Sequence, residues 1–265
     1  MDGCIDKCHQ DGIELRDEME EAAELANYLP ISFKTPKEQE YIEFLWDAFE
    51  TNYTSGKHQF AFLAYHMLTM SFVYFNIWQI KQNRPADFLK ATYGFTKDNE
   101  DTVLSATSPF TFSEIGESAI FRFLKLIDCD NGKIGTYTKL VKDRNATAHS
   151  NGVIQYADQK TLDLQITETL RVVDEIQRHS KCIIEDCYRQ FLLGSHDPDE
   201  REYPDDADQI REVLIHENYM SQKDIEICLA YDIHAHATGP NYLAIQALHE
   251  SLCATYADPE AAPAD

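Results

Sequence analysis

Apolar residues recur along this chain at helical rather than strand spacing. In "PKEQEYIEFLWDAFETNY" (36–53), Tyr41, Phe44, Leu45, Ala48 and Phe49 fall on one face, and Pro36 suits a first helical turn. Residues 58–82 are apolar nearly all round, which predicts the central helix of a bundle, ended by Asn83, Arg84 and Pro85. Upstream, "DGIELRDEMEEAAELANYL" (11–29) reads as an acidic amphipathic helix stopped by Pro30. Residues 93–111 are polar and irregular, a loop by pattern. Ser113 is positioned to cap a helix running to Asp128, and Asn131–Gly132 reads as a turn. A further helix is expected from about Ile134 to Ala148, stopped by Asn151–Gly152. After a short extended piece (153–156), Leu162, Ile166, Leu170, Val173, Ile176, Ile183, Cys187 and Phe191 mark the buried face of a long helix to about Leu193. No run of alternating strands appears, so the fold class expected is all-α.

The division expected is an acidic N-terminal helix (1–34), a helical bundle (35–193), an acidic linker "GSHDPDEREYPDDAD" (194–208) and a small helical C-terminal module (209–265). At 265 residues with 43% hydrophobic content, a sizeable core is within reach. Net charge is −23, but unevenly spread: −10 over residues 1–50, +2 over 51–150 and −15 over 151–265. Nucleic acid is therefore not expected to bind all over the surface, and the middle segment is the one place where an anion would meet little repulsion. Seven cysteines without framework spacing suggest reduced thiols and a cytoplasmic setting. The acidic N-terminus lacks a signal-peptide run, and polar interruptions at His66, Asn76 and Gln79 make 58–80 a buried helix rather than a membrane span.

The stretch "KLVKDRNATAHSNG" (139–152) concentrates the candidate chemistry. Arg144 and Asn145 are followed by His149 at an expected helix end, with Lys133, Lys139 and Lys142 on the approach. Positions five apart on a helix are separated by about 140°, so Arg144 and His149 share a face only if the helix ends near Ala148. Asn145 and His149, four apart, share a ridge. A structural reading pairs Arg144 with an acid such as Asp143 or Glu114 and leaves His149 as a helix-end cation.

In its Arg-x4-His form with Asn in second position, "RNATAH" resembles the signature of the HEPN superfamily, helical bundles that include many metal-independent endoribonucleases of toxin–antitoxin, phage-defence and CRISPR-linked systems. The resemblance covers roughly residues 35–193. It implies that Arg144 binds and polarises a scissile phosphate, that His149 moves protons and that Asn145 orients, while Lys133, Lys139 and Lys142 are expected from their local charge to bind RNA. The residue types suit that chemistry, since an unperturbed His titrates near neutral pH and Arg grips phosphate bidentately. It implies no cofactor and no metal, an RNA substrate, and a homodimer whose two motifs complete one site. In the HEPN toxins silenced by nucleotidyl transfer, a Tyr follows the His by two positions; here Asn151 stands there, which does not support that antitoxin type. The alternative is a non-catalytic HEPN-type adaptor that docks a protein partner or antitoxin through its acidic surface. Asp232, His234, His236 and His249, and Cys4, Cys8 and His9, are weaker metal candidates, read as solvated or terminal residues. His66 and the stripe Phe60, Phe62, Tyr65, Phe72, Tyr74, Phe75 and Trp78 are read as core.

Overall fold

A computed structural model describes residues 19–149 and 152–257. The described chain is all-α: its one β-type contact is an isolated bridge between Pro30 and Ser221. Met19–Ala23 and the 3₁₀ turn Glu24–Tyr28 lead into α1 (Pro36–Thr54). Thr35 and Glu38 start α1 with a reciprocal capping box, and Pro36 occupies the first turn. A tight turn at Gly56 (φ +69°), a conformation that favours a residue without a Cβ, reverses the chain into α2 (His58–Asn83). α2 is the axis of the molecule, buried on nearly every side and packed against α1 and against the long helix α7 (Gln159–Ser195). It is long and apolar enough to cross a membrane by composition, yet 83% of its most apolar window is buried within the protein. The intervening segments are α3 (Pro85–Ala91), α4 (Lys97–Ser105), α5 (Glu117–Ile120) and α6 (Asn131–Ala148), with 3₁₀ segments at Pro109–Glu114 and Phe121–Ile127.

Several expectations change at this level. Phe44 does not join the buried face of α1; it is 65% exposed, and Ile42 and Tyr53 are buried instead. Phe60 likewise points to solvent while the rest of the aromatic stripe on α2 is core. Residues 93–111 are not a loop, because α4 lies within them, capped by the Thr96 hydroxyl that accepts from Asn99 N–H. Ser113 caps no helix; its hydroxyl donates to the Phe110 carbonyl inside a 3₁₀ segment. Asn131 and Gly132 form the first turn of α6, and Asp130 is the cap, its Oδ1 accepting from Lys133 N–H at 2.9 Å.

α7, about 55 Å long by its helical rise, carries both halves of the core. Its first part, through Ile183, closes the main bundle. From Ile184 onward it supports a second cluster with Ile210, Leu214, Ile225, Leu248 and Leu252. The C-terminal elements are α8 (Asp206–Gln209), a π-helical stretch (Ile210–His216), α9 (Gln222–Leu229) and α10 (Tyr242–Tyr256). The segment 194–208, expected as a solvated linker, is tied down: the nearly buried Arg201 side chain pairs with Asp206 at 2.6 Å and donates to the Ser195 carbonyl. The C-terminal part also bonds back to the bundle. Buried Asp224 accepts from Gln79 and Gln177 at 3.0 and 2.6 Å, and Tyr219 donates to the buried Glu38 carboxylate. The expected acidic helix is described only from Met19, and Cys4, Cys8, His9 and Asn151 lie outside the described residues.

Candidate functional site at the end of α6

Tyr137, Leu140, Val141 and Thr147 form the buried stripe of α6. Arg144 falls on that stripe at helical spacing, so its side chain is sent inward rather than outward. There its Nη2 meets Glu117 Oε2, on α5, at 2.6 Å. The same carboxylate oxygen contacts His66 Nε2, on α2, at 3.2 Å. The acid that pairs with Arg144 is thus neither Asp143 nor Glu114, and three helices meet at one carboxylate. Burial works to raise the Glu117 carboxyl, but the bonds and charges from His66 and Arg144 outweigh it and hold the group below the usual carboxylate range. Arg144 keeps 30% of its side chain exposed, and its Nε is buried without a hydrogen-bond partner. Tyr74, one wall further in, has its phenol pushed up by burial and then by Glu117, with Arg144 opposing.

His149 sits differently. It is the first residue past α6, with extended backbone (φ −80°, ψ 142°), its N–H donating to the Asn145 carbonyl at 3.1 Å. Its ring is exposed, and Asn145 lies half-buried one turn earlier. The helix end is pinned by Gln59 at the start of α2: its amide donates to the Thr147 carbonyl at 3.1 Å and its Oε1 accepts from Gln155 N–H at 3.0 Å. Tyr156 then returns to the core and packs on Phe62, ring centroids 4.3 Å apart. Gly152 takes φ +76° in this reversal, a conformation that favours a residue without a Cβ. Arg144 and His149 therefore leave α6 on different sides, Arg144 into the bundle and His149 into solvent.

The three lysines separate in the same way. Lys133 is committed to α7: its ammonium lies 3.0 Å from Glu175 Oε1 and 2.5 Å from His179 Nε2. Because His179 Nδ1 faces the Ile127 carbonyl at 2.9 Å, Nδ1 carries the proton and Nε2 accepts from Lys133. Lys139 and Lys142 are exposed, and Lys139 borders a shallow cavity with Asp143, Gln155 and Tyr156. His66 is a satisfied core histidine, as read from the sequence, but what satisfies it is the partner of Arg144. Among the weaker candidates, His234 and His236 bond to Tyr242 and Tyr231, and His249 to Tyr188. No group of three or more potential metal-ligating side chains converges among the described residues.

Glu117 also forms part of the wall of a cavity of about 640 Å³ between α1, α2 and the 3₁₀ segment at 109–114, bordered by Tyr41, Met67, Met70, Tyr74 and Phe110. Sequence reading missed both Glu117 and this cavity. Glu117 lies 27 positions before Arg144, in a stretch whose 3₁₀ turns obscure any period of 3.6. Compared with known protein families, with characterised proteins and with solved structures, the chain finds no match in any of the three.

Proposed function

We propose that this chain is an HEPN-like, metal-independent endoribonuclease that acts as a homodimer, in a prokaryotic defence, toxin–antitoxin or CRISPR-linked setting. The observation that carries the reading is the end of α6, where a guanidinium ion-paired to Glu117 and an exposed imidazole flank one helix terminus. Because the two side chains diverge, one copy is poorly arranged to grip and cleave the same phosphate. A two-fold axis beside His149 would bring two imidazoles to one RNA backbone. Exposed apolar side chains near the motif, Val153 and Ile154 after it and Leu164 on α7, offer such an axis a contact surface. In the reaction proposed, one His149 takes the proton of a ribose 2′-hydroxyl as that oxygen bonds to phosphorus. The partner subunit's His149 gives a proton to the departing 5′-oxygen as the P–O5′ bond breaks. The products carry a 2′,3′-cyclic phosphate and a 5′-hydroxyl. Arg144, which keeps 30% of its side chain exposed beside its pair with Glu117, supports the charge on the phosphorane from that exposed part, Asn145 orients, and Lys139 and Lys142 attract the strand.

The adaptor reading keeps one specific observation in its favour: the charge of Arg144 is already balanced by Glu117, and that of Lys133 by Glu175. The two readings part in one experiment. RNA is incubated in EDTA with wild type, and wild type is then mixed with excess His149→Ala protein under subunit exchange. The ribonuclease reading expects cyclic-phosphate ends and a fall in activity per wild-type subunit as mixed dimers form. No cleavage by wild type favours the adaptor, and constant activity per subunit while mixed dimers accumulate overturns the shared site.

A further inference from the structure

We infer that the cavity beside Glu117 is a pocket for an unstacked guanine base, and so gives the proposed RNA site its base preference. The inference deepens the ribonuclease reading and rests on it for its biological meaning, although the binding it asserts is separable from cleavage. The cavity's volume of about 640 Å³ lies within the roughly 300–1,000 Å³ common for small-molecule sites. Its walls are aromatic and thioether: Tyr41 and Phe110 meet edge to face at 5.2 Å, with Tyr74, Met67 and Met70 alongside. Such walls suit a flat heterocycle.

Most polar groups around the cavity are already spoken for. Glu38 accepts from Ser108, Tyr219 and the Thr35 N–H, while Ser71 and Ser113 donate to the Met67 and Phe110 carbonyls. Among the described residues the phenol hydroxyls of Tyr41 and Tyr74 make no hydrogen bond, and both protein contacts of Glu117 fall on Oε2, which leaves Oε1 as an acceptor. The exposed Lys37 also borders the cavity, so the ligand that meets these groups offers N–H donors to a carboxylate and an acceptor to the phenol hydroxyls and the lysine ammonium. A cation gains little here, because Arg144 already balances Glu117. A neutral donor pair does gain. Among the RNA bases only guanine presents two adjacent donors, N1–H and the N2 amino group, with the O6 acceptor next to them. Adenine and cytosine place a ring-nitrogen lone pair beside their amino group and would be repelled, and uracil offers a single donor between two carbonyls. Glu117 thus touches the cavity on one side and the phosphate-binding arginine on the other, joining base and backbone recognition through one side chain.

The test is calorimetric titration of the full chain with guanosine, adenosine, cytidine and uridine 5′-monophosphates, which share one phosphate and differ in the base. Guanosine monophosphate is expected to bind at least about tenfold more tightly than the others, the discrimination of one good paired contact. Tyr74→Phe, which removes one hydroxyl, and Met67→Trp, which adds bulk to the lining from an exposed position, should weaken guanosine monophosphate severalfold while melting as wild type does. Glu117→Gln should erase the preference. Equal binding of all four, or binding of none, overturns the pocket whatever the RNA cleavage assay gives. Guanosine preference without any RNA cleavage leaves the pocket standing and overturns the ribonuclease reading alone.

Discussion

Arg144 and His149 come from one six-residue string, yet the fold gives them different physical lives. Arg144 is half-buried and ion-paired, so removing it leaves the Glu117 carboxylate with only His66. Arg144→Ala is expected to cost about 1.5–3 kcal/mol, the range for a hydrogen bond to a charged group, whereas His149→Ala, exposed past the helix end, should stay within about 0.5 kcal/mol. Urea unfolding at neutral pH checks both, and equal losses would show that His149 has a structural role these contacts miss. The pH dependence comes from the depressed Glu117 carboxyl. Its contribution is present above the unfolded value of 4.5 and is lost as pH falls through the lower folded value. Arg144→Ala should therefore flatten the acid limb of the stability profile below about pH 4.5. Asp224 has the opposite sign. Burial raises its carboxyl despite bonds from Ser221, Gln177 and Gln79, so the stability tied to it falls as pH rises from 3.8 through the raised value. At this scale the sequence showed which residue types could do chemistry. It did not show Arg144's partner, because that pair is set by where α5 and α6 meet.

Among the elements, legibility tracked periodicity. α1, α2, α6 and α7 were visible because each has a clear apolar face or an apolar surround and a recognisable start or stop. The stretch from 93 to 127 was not, since it is cut into α4, α5 and two 3₁₀ segments, each too short to establish a period of 3.6. Phe44 misled because α1 is covered on one side only, and its neighbour Leu45 already fills the inward position. The contact between α10 and α7 is an element-scale prediction that no pattern could reveal. His249 on α10 bonds Tyr188 on α7 through Nδ1 at 2.7 Å, with the Cys253 thiol 3.6 Å from Nε2. Burial pulls the imidazole below its ordinary 6.5, against a smaller opposing influence from Glu250. Its stability contribution is therefore complete above pH 6.5 and declines as acid forces a proton onto the ring. Hydrogen exchange of the α10 amides should speed up between pH 7.5 and about 5.5 relative to global opening, and His249→Gln should remove that dependence. Unchanged relative protection across the range would mean that the contact holds without a neutral ring.

At the scale of the molecule, contacts that composition does not report join the bundle, linker and C-terminal helices that it suggested. Acidic and proline-rich content marked 194–208 as a linker, but composition does not report that Arg201 finds Ser195 and Asp206. Nor does it report that α7 runs unbroken through both core clusters. The C-terminal elements also bond to the bundle. Tyr219 packs on Phe75 and Trp78 and donates to Glu38, the residue that also closes the capping box of α1. Gln79 and Gln177, one on each main helix, direct their amides to Asp224. A chain ending at Ser195 would leave Glu38 without the Tyr219 hydroxyl and both glutamines without their shared acceptor. It would also expose the apolar face of α7 from Ile184 to Leu192. Such a truncation is expected to lose its sharp thermal transition and bind a hydrophobic dye, while the full chain melts in one cooperative step. The single substitution Tyr219→Phe isolates one of these links, and it should cost about 1–3 kcal/mol, because the Glu38 carboxylate keeps its burial but loses a donor. A truncated chain that melts cooperatively at the wild-type temperature, together with a Tyr219→Phe protein of unchanged stability, would show that the bundle stands alone and that the C-terminal elements merely rest on it.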